Sequence, residues 1–385
     1  MKTLIELYDE RPLDNVLATE MFRPEETVYI CPPEVAGNRG LKESLRRYFA
    51  LRGCGVRLTF EPVSLLDAGR IEQKLRKVID THEDCVIDIS GGTDAALFAA
   101  GAVSGGSVPV ITYSRGHNTF YEIKNAPYAR NLPCTVRLDA RSCLMMAGGE
   151  LLPGREDNRE LAGRLSQIDR LFAVYRKYRR IWNDQIAYIQ KISRADDTEL
   201  AAEGPLSGKA NNRDVTAEEE LFRQLEEYGL IRDLVLDEDR LAFRFADATV
   251  RFWLRDMGSA LELQVYRACL QAGCFDDVIL SAVVNWRGTD ALSQAVTNEI
   301  DVMCVRGVMP LFISCKTCEI KTEALNELAI LRDRFGGKGS RAAVVTSASA
   351  TKSRRLMLKR AAELNIEVIE WEDIELEQLA AKLGS

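Results

Sequence analysis

The chain has 385 residues, 46% hydrophobic and 28% charged, with 51 Lys and Arg against 58 Asp and Glu for a net charge of -7. At ~150 residues per domain this length calls for two or three folded parts, and no apolar run approaches the ~20 residues of a membrane-spanning helix. The negative balance disfavours indiscriminate adhesion to nucleic acid while leaving room for a local basic groove, and the two histidines, His82 and His117, exclude a histidine-rich zinc site or a histidine-based triad.

Met1 to Tyr8 opens directly into a strand-like run, without the basic start, apolar stretch and cleavage site of a secretory signal. A cytoplasmic location with no membrane partner is therefore expected. β-Branched runs at 3–7, 27–30, 56–60, 85–89 and 108–113 read as strands, and amphipathic patterns near 14–19, 41–52, 67–81 and 93–103 read as the helices between them. Nearly continuous apolar strands alternating with helices indicate an α/β domain with a parallel sheet covered on both faces, a Rossmann-like arrangement over 1–150.

The strand at 85–89 runs into Ser90-Gly91-Gly92-Thr93-Asp94 and then directly into a helix. Glycines at such a turn let the backbone approach a ligand, and the helix start offers free N–H groups and a positive dipole end, which favours a phosphate. Without a ligand the same residues are a tight βα turn capped by Thr93. Tyr8-Asp9-Glu10, Cys31-Pro32-Pro33 and Tyr113-Ser114-Arg115 end neighbouring strands, where open α/β sheets keep their ligand crevice. Arg115 is the natural phosphate partner among them.

After Asn118 a hairpin through 120–123 and 135–138 is expected, then a long helix from about Glu156 to Ile192, in which Tyr175, Tyr178 and Trp182 recur at helical spacing among Arg and Lys. Residues 194–212 combine Gly, Pro, Ser, Asn and Ala and read as a linker or mobile loop. Thr216 can cap a helix stopped by Gly229, with Glu219 in the capping-box position, and alternating runs at 241–245 and 249–254 suggest a hairpin. Residues 151–255 are thus expected to hold a helical linker and a small winged-helix-like connector.

From Ser259 the order is a helix at 261–272, strands at 278–286, 299–305 and 310–316, a helix at 323–335, a strand at 342–346, a helix at 353–364 and a strand at 368–371. This αβββαβ order defines a domain over 256–385. Glu262 shares a helix face with Val265, Tyr266 and Cys269, so its carboxylate points inward, where it needs a cation, an ammonium or donors. In Asn298-Glu299-Ile300-Asp301 the period of two puts Glu299 and Asp301 on one face. A hairpin through Arg306-Gly307 returns the chain as Ile313-Ser314-Cys315-Lys316, whose Ser314 and Lys316 come alongside Asp301.

Carboxylates from a helix and a strand with a lysine make a phosphodiesterase arrangement: the carboxylate oxygens hold Mg²⁺ or Mn²⁺ and lysine orients or deprotonates the attacking water. Read without a metal, Asp301 and Lys316 form a cross-strand ion pair and Glu262 is half exposed. The ten cysteines fit buried thiols better than a disulfide framework, and they fit that better than a zinc site of Cys315 and Cys318 with Cys269 and Cys274. Gly336-Gly337-Lys338-Gly339-Ser340 is a helix stop and turn, since it lacks the order of a phosphate-binding loop.

The αβββαβ order with Asp301 and Lys316 resembles the PD-(D/E)xK, or restriction-endonuclease-like, superfamily. Ser314 stands where that pattern has an acid two residues before the lysine, which leaves Glu262 or Glu299 as the substitute. With the turn Asp88-Ile89-Ser90-Gly91-Gly92-Thr93-Asp94 included, nearly the whole chain resembles the CRISPR ancillary nucleases that join a CARF sensor domain to such a nuclease domain.

The resemblance implies a homodimer that binds cyclic tetra-adenylate across the sensor interface and then cuts single-stranded DNA or RNA with Mn²⁺ or Mg²⁺ in type III CRISPR antiviral defence. It implies catalytic roles for Glu262, Asp301, Ser314 and Lys316, and metal ligation by Glu262, Asp301 and Glu299. A ligand-responsive DNA-binding transcriptional regulator without cleavage is the alternative reading, and a sensor that degrades its own ligand is a third.

Overall fold

A computed structural model describes residues 1–152, 158–193, 199–286, 297–337, 339–348, 354–370 and 374–385. Its first strands, β1 (Thr3–Leu7) and β2 (Glu26–Cys31), are buried along their whole length, whereas β3 (Arg57–Pro62) is half exposed at the sheet edge. β4 (Cys85–Asp88), β5 (Val110–Ser114), β6 (Thr119–Lys124) and β7 (Leu132–Pro133) complete a seven-stranded sheet of order β3-β2-β1-β4-β5-β6-β7. The first five strands run parallel and the last two antiparallel.

Helices α1 (Leu17–Phe22), α2 (Pro33–Gly37), α3 (Arg39–Leu51), α4 (Ala68–Thr81) and α5 (Asp94–Val103) connect the strands. The longer ones open on side-chain oxygens: Asn38 accepts from the Leu41 N–H, Asp67 from Arg70 and Thr93 from Ala96. The Rossmann-like expectation holds, but residues 135–138 are not the second arm of a hairpin. They turn toward the C-terminal half instead, where the Leu138 N–H reaches the Gly307 carbonyl at 2.8 Å and Val136 and Leu138 are buried. A buried contact outweighs one more rung at an exposed sheet edge.

Helix α6 (Ala140–Met146) leads to β8 (Glu150–Leu151), which adds itself to the C-terminal sheet beside Val284 and Asn285. Next come α7 (Asn158–Ala162) and the long α8 (Leu165–Ile192), which leaves helical geometry at Tyr178 with φ −105° and ψ 18°. The expected helix start at Glu156 lies outside the described residues, as do the first residues of the expected linker at 194–198, the helix start at Ser353 and the strand end at Trp371.

The rest of that linker is not a loop. It forms β9 (Ala201–Pro205), β10 (Ser207–Ala210) and β11 (Arg213–Thr216). Its small residues are there because α8 passes close by: a Cβ on Gly204 would meet Ile192 Cγ2 at 2.5 Å, and one on Gly208 would stand 3.0 Å from the Tyr188 ring.

Helix α9 (Glu219–Glu227) starts later than expected, and no side chain caps it. Thr216 instead ends β11, its carbonyl taken by Gln185 at 2.8 Å. The hairpin pairs β12 (Ile231–Leu236) with β13 (Arg240–Phe245), and β13 also pairs with β9. Residues 249–254, expected as a strand, form the body of α10 (Ala248–Trp253) and its C-cap Leu254, because Asp247 accepts the Val250 N–H at 2.9 Å and nucleates a turn.

The C-terminal domain follows the expected αβββαβ order: α11 (Ser259–Ala272), β14 (Asp277–Asn285), β15 (Thr297–Arg306), β16 (Met309–Lys316), α12 (Thr322–Phe335), β17 (Arg341–Thr346), α13 (Arg354–Glu363), β18 (Glu367–Ile369) and α14 (Leu376–Gly384). Its sheet has the order β18-β17-β16-β15-β14-β8. Gly336 and Gly337 stop α12, with Gly337 at φ 66°; Lys338 lies outside the described residues. No helix among the described residues is long and apolar enough to cross a membrane.

One apolar core joins the two sheets, running from Tyr48, Phe120 and Met146 to Phe312 and Phe335. A second joins α8 through Tyr175 and Trp182 to Trp253 and Tyr266. Phe335 is fully buried and packs edge-on to Trp286 at 5.5 Å. Phe335→Ala should therefore cost about 3–5 kcal/mol. Chemical denaturation followed by near-UV dichroism should show that loss as an earlier transition of both halves.

Candidate active site

The hairpin ladder between β15 and β16 ends at Val302 and Ile313. The next rung would pair Asp301 with Ser314, but β16 leaves β15 here and continues only beside β17, where Lys316 is in register with Thr346. The Asp301 carboxylate fills the gap. Its Oδ2 accepts from the Cys315 N–H at 2.6 Å and from Ser314 Oγ at 3.1 Å, and the Lys316 ammonium stands 3.5 Å away. On the other side of Asp301 the ladder to β14 skips Ser281, which sits at φ 50°, a conformation that costs roughly 1–2 kcal/mol for a residue with a Cβ.

Helix α11 brings Glu262 to the same place. Burial first, then the negative charges of Asp301, Asp256 and Glu299, push its carboxyl up to about 9, with Lys316 opposing. Asp256 lies two residues ahead of the helix cap Gly258, where it accepts from the Gly258 N–H at 3.1 Å and from Ser259 Oγ at 3.2 Å. Sequence reasoning passed over it, although an Asp followed by Gly and Ser before an apolar helix is a helix-start signature. The three donors on Asp301 Oδ2 leave Ser314 as a clamp on that carboxylate.

Glu262, Asp301, Ser314 and Lys316 therefore stand together, and Glu299 lies one pleat along β15, exposed. Among the described residues no group of three His, Cys, Asp or Glu side chains forms a ready ion cage. The donor set nevertheless fits a hard cation: a buried carboxyl held neutral by like charges is one that a divalent ion would ionise, and both carboxylates offer oxygen ligands. Cys315 and Cys269 are buried while Cys318 is exposed, as free thiols rather than a zinc knuckle.

In the N-terminal domain the strand ends converge as expected, yet their donors are already engaged. The Gly92 N–H goes to Asp9 Oδ2 at 2.9 Å, and a Cβ on Gly91 would stand 2.8 Å from the Asp9 Cβ. The Ser90 N–H goes to Asp88 Oδ1 at 2.9 Å, the Tyr113 N–H goes to Ser90 Oγ at 2.8 Å, and the Thr93 hydroxyl goes to the Leu65 carbonyl at 2.7 Å.

Arg115 binds the buried Asp14 at 2.6 Å, and Arg11 reaches both Asp9 at 2.8 Å and Asp14 at 2.9 Å. Arg11, Asp14 and Asn15 were not singled out from the sequence, where Asp14 reads only as the start of a helix. Ser114 meets the His117 ring at 3.3 Å. Cys31 is buried, which lifts its thiol to about 12, and Pro32 precedes α2.

Tyr8 stands beside Cys31 at the same strand ends. It lines a cavity of about 410 Å³ with Asn38, Arg47, Trp286 and Arg334, between the two domains. Beneath the turn, Glu6 and Asp88 are register neighbours buried together, and desolvation raises both carboxyls, Asp88 to about 7.

Residues 247–383 match the family model described as Card1-like, endonuclease domain. No curated protein matches the chain. The chain is similar over 99% of its length to protein VC1899 from Vibrio cholerae, covering 97% of that chain with a TM-score of 0.78 at 18% identity. It is also similar over 99% of its length to Can2 from Sulfobacillus thermosulfidooxidans, solved in complex with cyclic tetra-adenylate, covering 98% of that chain with a TM-score of 0.71 at 15% identity. At those identities the likeness shows the fold. The resemblance drawn from the sequence holds in its fold and order: an α/β domain is followed by a segment that matches the Card1-like endonuclease model.

Glu262 carries a pH signature. Its folded value of about 9 lies above the ordinary 4.5, so without metal the folded protein holds a proton that the unfolded chain releases. Its contribution is fully present below the ordinary value and is lost as pH rises toward the folded one. Metal-free protein should thus lose stability between those limits, and Glu262→Gln should flatten the loss, as thermal melts across that pH range would show. Equal slopes for the two proteins would mean that Glu262 is ionised and solvated.

Proposed function

We propose that this chain is a cyclic-oligoadenylate-activated, metal-dependent endonuclease that cuts single-stranded nucleic acid, DNA or RNA, in type III CRISPR antiviral defence. The observation that carries the reading is the meeting of Glu262, Asp301 and Lys316 where β15 and β16 part, inside a segment that matches an endonuclease domain. Glu262 and Asp301 would hold Mn²⁺ or Mg²⁺, with Glu299 as the outer carboxylate. When bound, the ion supplies a lowered pKa for the attacking water and charge stabilisation for the phosphorane. Lys316 orients that water, and the Ser314 hydroxyl with the Cys315 N–H fixes the Asp301 carboxylate.

Tyr8, Asp9, Cys31, Pro32, Ser90, Gly91, Gly92, Thr93, Ser114 and Arg115 line the strand ends where a cyclic oligoadenylate would sit. Cyclic tetra-adenylate is favoured, because Can2, of the same fold, was solved with it. A ligand of two-fold character suits a homodimer with the sensor domains facing each other. Its phosphates would compete with Asp14 for Arg115 and with Asp9 for the Gly92 N–H, so binding changes the protein's own hydrogen bonds and shifts the population toward the cutting state.

Labelled single-stranded DNA and RNA incubated with Mn²⁺ should be cut only when cyclic tetra-adenylate is added. Asp301→Ala and Lys316→Ala should each lose at least about 10²-fold in rate, the scale of a positioned acid or base. Equal cutting without any cyclic nucleotide would remove the sensor from the proposal. Tight metal-free binding to one duplex sequence, with no cutting, would favour a transcriptional regulator.

A further inference from the structure

We propose that a small basic cavity beside Lys316 holds a backbone phosphate of the nucleic-acid strand, flanking the phosphate that is cut. It has a volume of about 170 Å³ and is lined by Tyr175, Arg179, Arg180, Asn183, Thr317 and Ser347, with Ala348. All six of the first-named side chains can donate hydrogen bonds, Arg179 and Arg180 are cations, and no carboxylate among the described residues lines the cavity. In a chain of net charge -7 that is a local reversal of sign. The volume falls below the ~300 Å³ at which small-molecule pockets begin. A phosphate group with its waters suits it better than a whole nucleotide.

The cavity is built onto the strand ends that carry the active site. Thr317 follows Lys316 in the chain, and the Lys316 carbonyl accepts from the Ser347 N–H and the Thr346 hydroxyl, both at 3.1 Å. Helix α8 forms the opposite wall. Tyr175 hydrogen-bonds the Ser347 hydroxyl, Arg179 reaches the Ser347 carbonyl at 3.4 Å, and Asn183 reaches the Thr317 hydroxyl at 3.5 Å.

The break in helical geometry at Tyr178 falls between Tyr175 and the two arginines, within a run where Arg176, Lys177, Arg179 and Arg180 are four cations in five residues. Arg176 is tied to Glu375, whereas Arg180 is exposed at the mouth of the cavity. Arginine forks match phosphate oxygens, and the neighbouring hydroxyls and amide supply further donors. This subsite rests on the nuclease reading, since it gives the substrate strand a second hold next to Lys316.

The test uses the full-length protein with a fluorescein-labelled single-stranded DNA and the matching RNA in Ca²⁺. Anisotropy is read over a range of salt concentrations, and cleavage is measured separately with Mn²⁺ and cyclic tetra-adenylate. Arg180→Ala should weaken binding several-fold and lower the slope of log Kd against log salt by about 0.7, the change for one phosphate contact on a single strand. Arg180→Lys should restore that slope, because it keeps the charge, and Asn183→Ala should weaken binding without changing the slope. A wild type that binds and cuts, with Arg180→Ala unchanged in affinity and slope, overturns the subsite and leaves the nuclease standing. A wild type that neither binds nor cuts removes both.

Discussion

The candidate active site depends on a rung missing from a β-ladder. Two strands that paired all the way would bury Asp301 against Ser314 in a flat sheet and leave no opening for a phosphodiester. Because β16 departs toward β17 after Ile313, an unpaired N–H at Cys315 faces an acidic side chain that can accept it. A buried N–H without a partner costs as much as a lost hydrogen bond, so the carboxylate is held by the same need that opens the sheet. Ser281, in a left-handed conformation on the facing strand, marks the same discontinuity from the other side. Strain of that kind persists where the surrounding structure imposes it, and such places are often functional.

The electrostatics follow from this opening. Asp301 has an ammonium and two neutral donors, whereas Glu262 has burial and like charges, and it is Glu262 whose carboxyl is pushed toward the protonated state. Such a pair is unfavourable as it stands and favourable around a cation, which is the physical sense in which a nuclease site is preorganised. Ser314, a departure from the acid of the PD-(D/E)xK pattern, keeps a function here as a donor to Asp301, so the loss of one carboxylate at that position does not empty the site.

Much of this was legible because it obeys local rules. Strand alternation placed Asp301 and Lys316 on a shared face, helical spacing turned Glu262 inward, and apolar strands between amphipathic helices gave the parallel sheet. What could not be read was set by distant neighbours. The small residues of β9 and β10 look like a linker until Tyr188 and Ile192 of α8 are seen pressing on Gly204 and Gly208. Thr216 looks like a cap until Gln185 takes its carbonyl. Likewise Asp14 reads as a helix start, yet it accepts two arginines from positions that no periodicity connects to it.

The same long-range packing would let the proposed sensor domain govern the proposed nuclease site. The domains share an apolar core through Phe120, Met146, Phe312 and Phe335, and β8 is a strand of the nuclease sheet lent by the segment that leaves the sensor. Arg115, at the sensor's strand ends, comes within 3.9 Å of where a Cβ on Gly337 would stand, just past the end of α12, while Tyr8 and Arg334 line one interdomain cavity. A ligand that drew Arg115 from Asp14 would act on the end of α12, which packs on β16, the strand that carries Lys316. Close-packed cores yield by switching between discrete arrangements rather than by stretching. The contact between Arg115 and the turn after α12 therefore gives a physical route from the N-terminal strand ends toward Lys316.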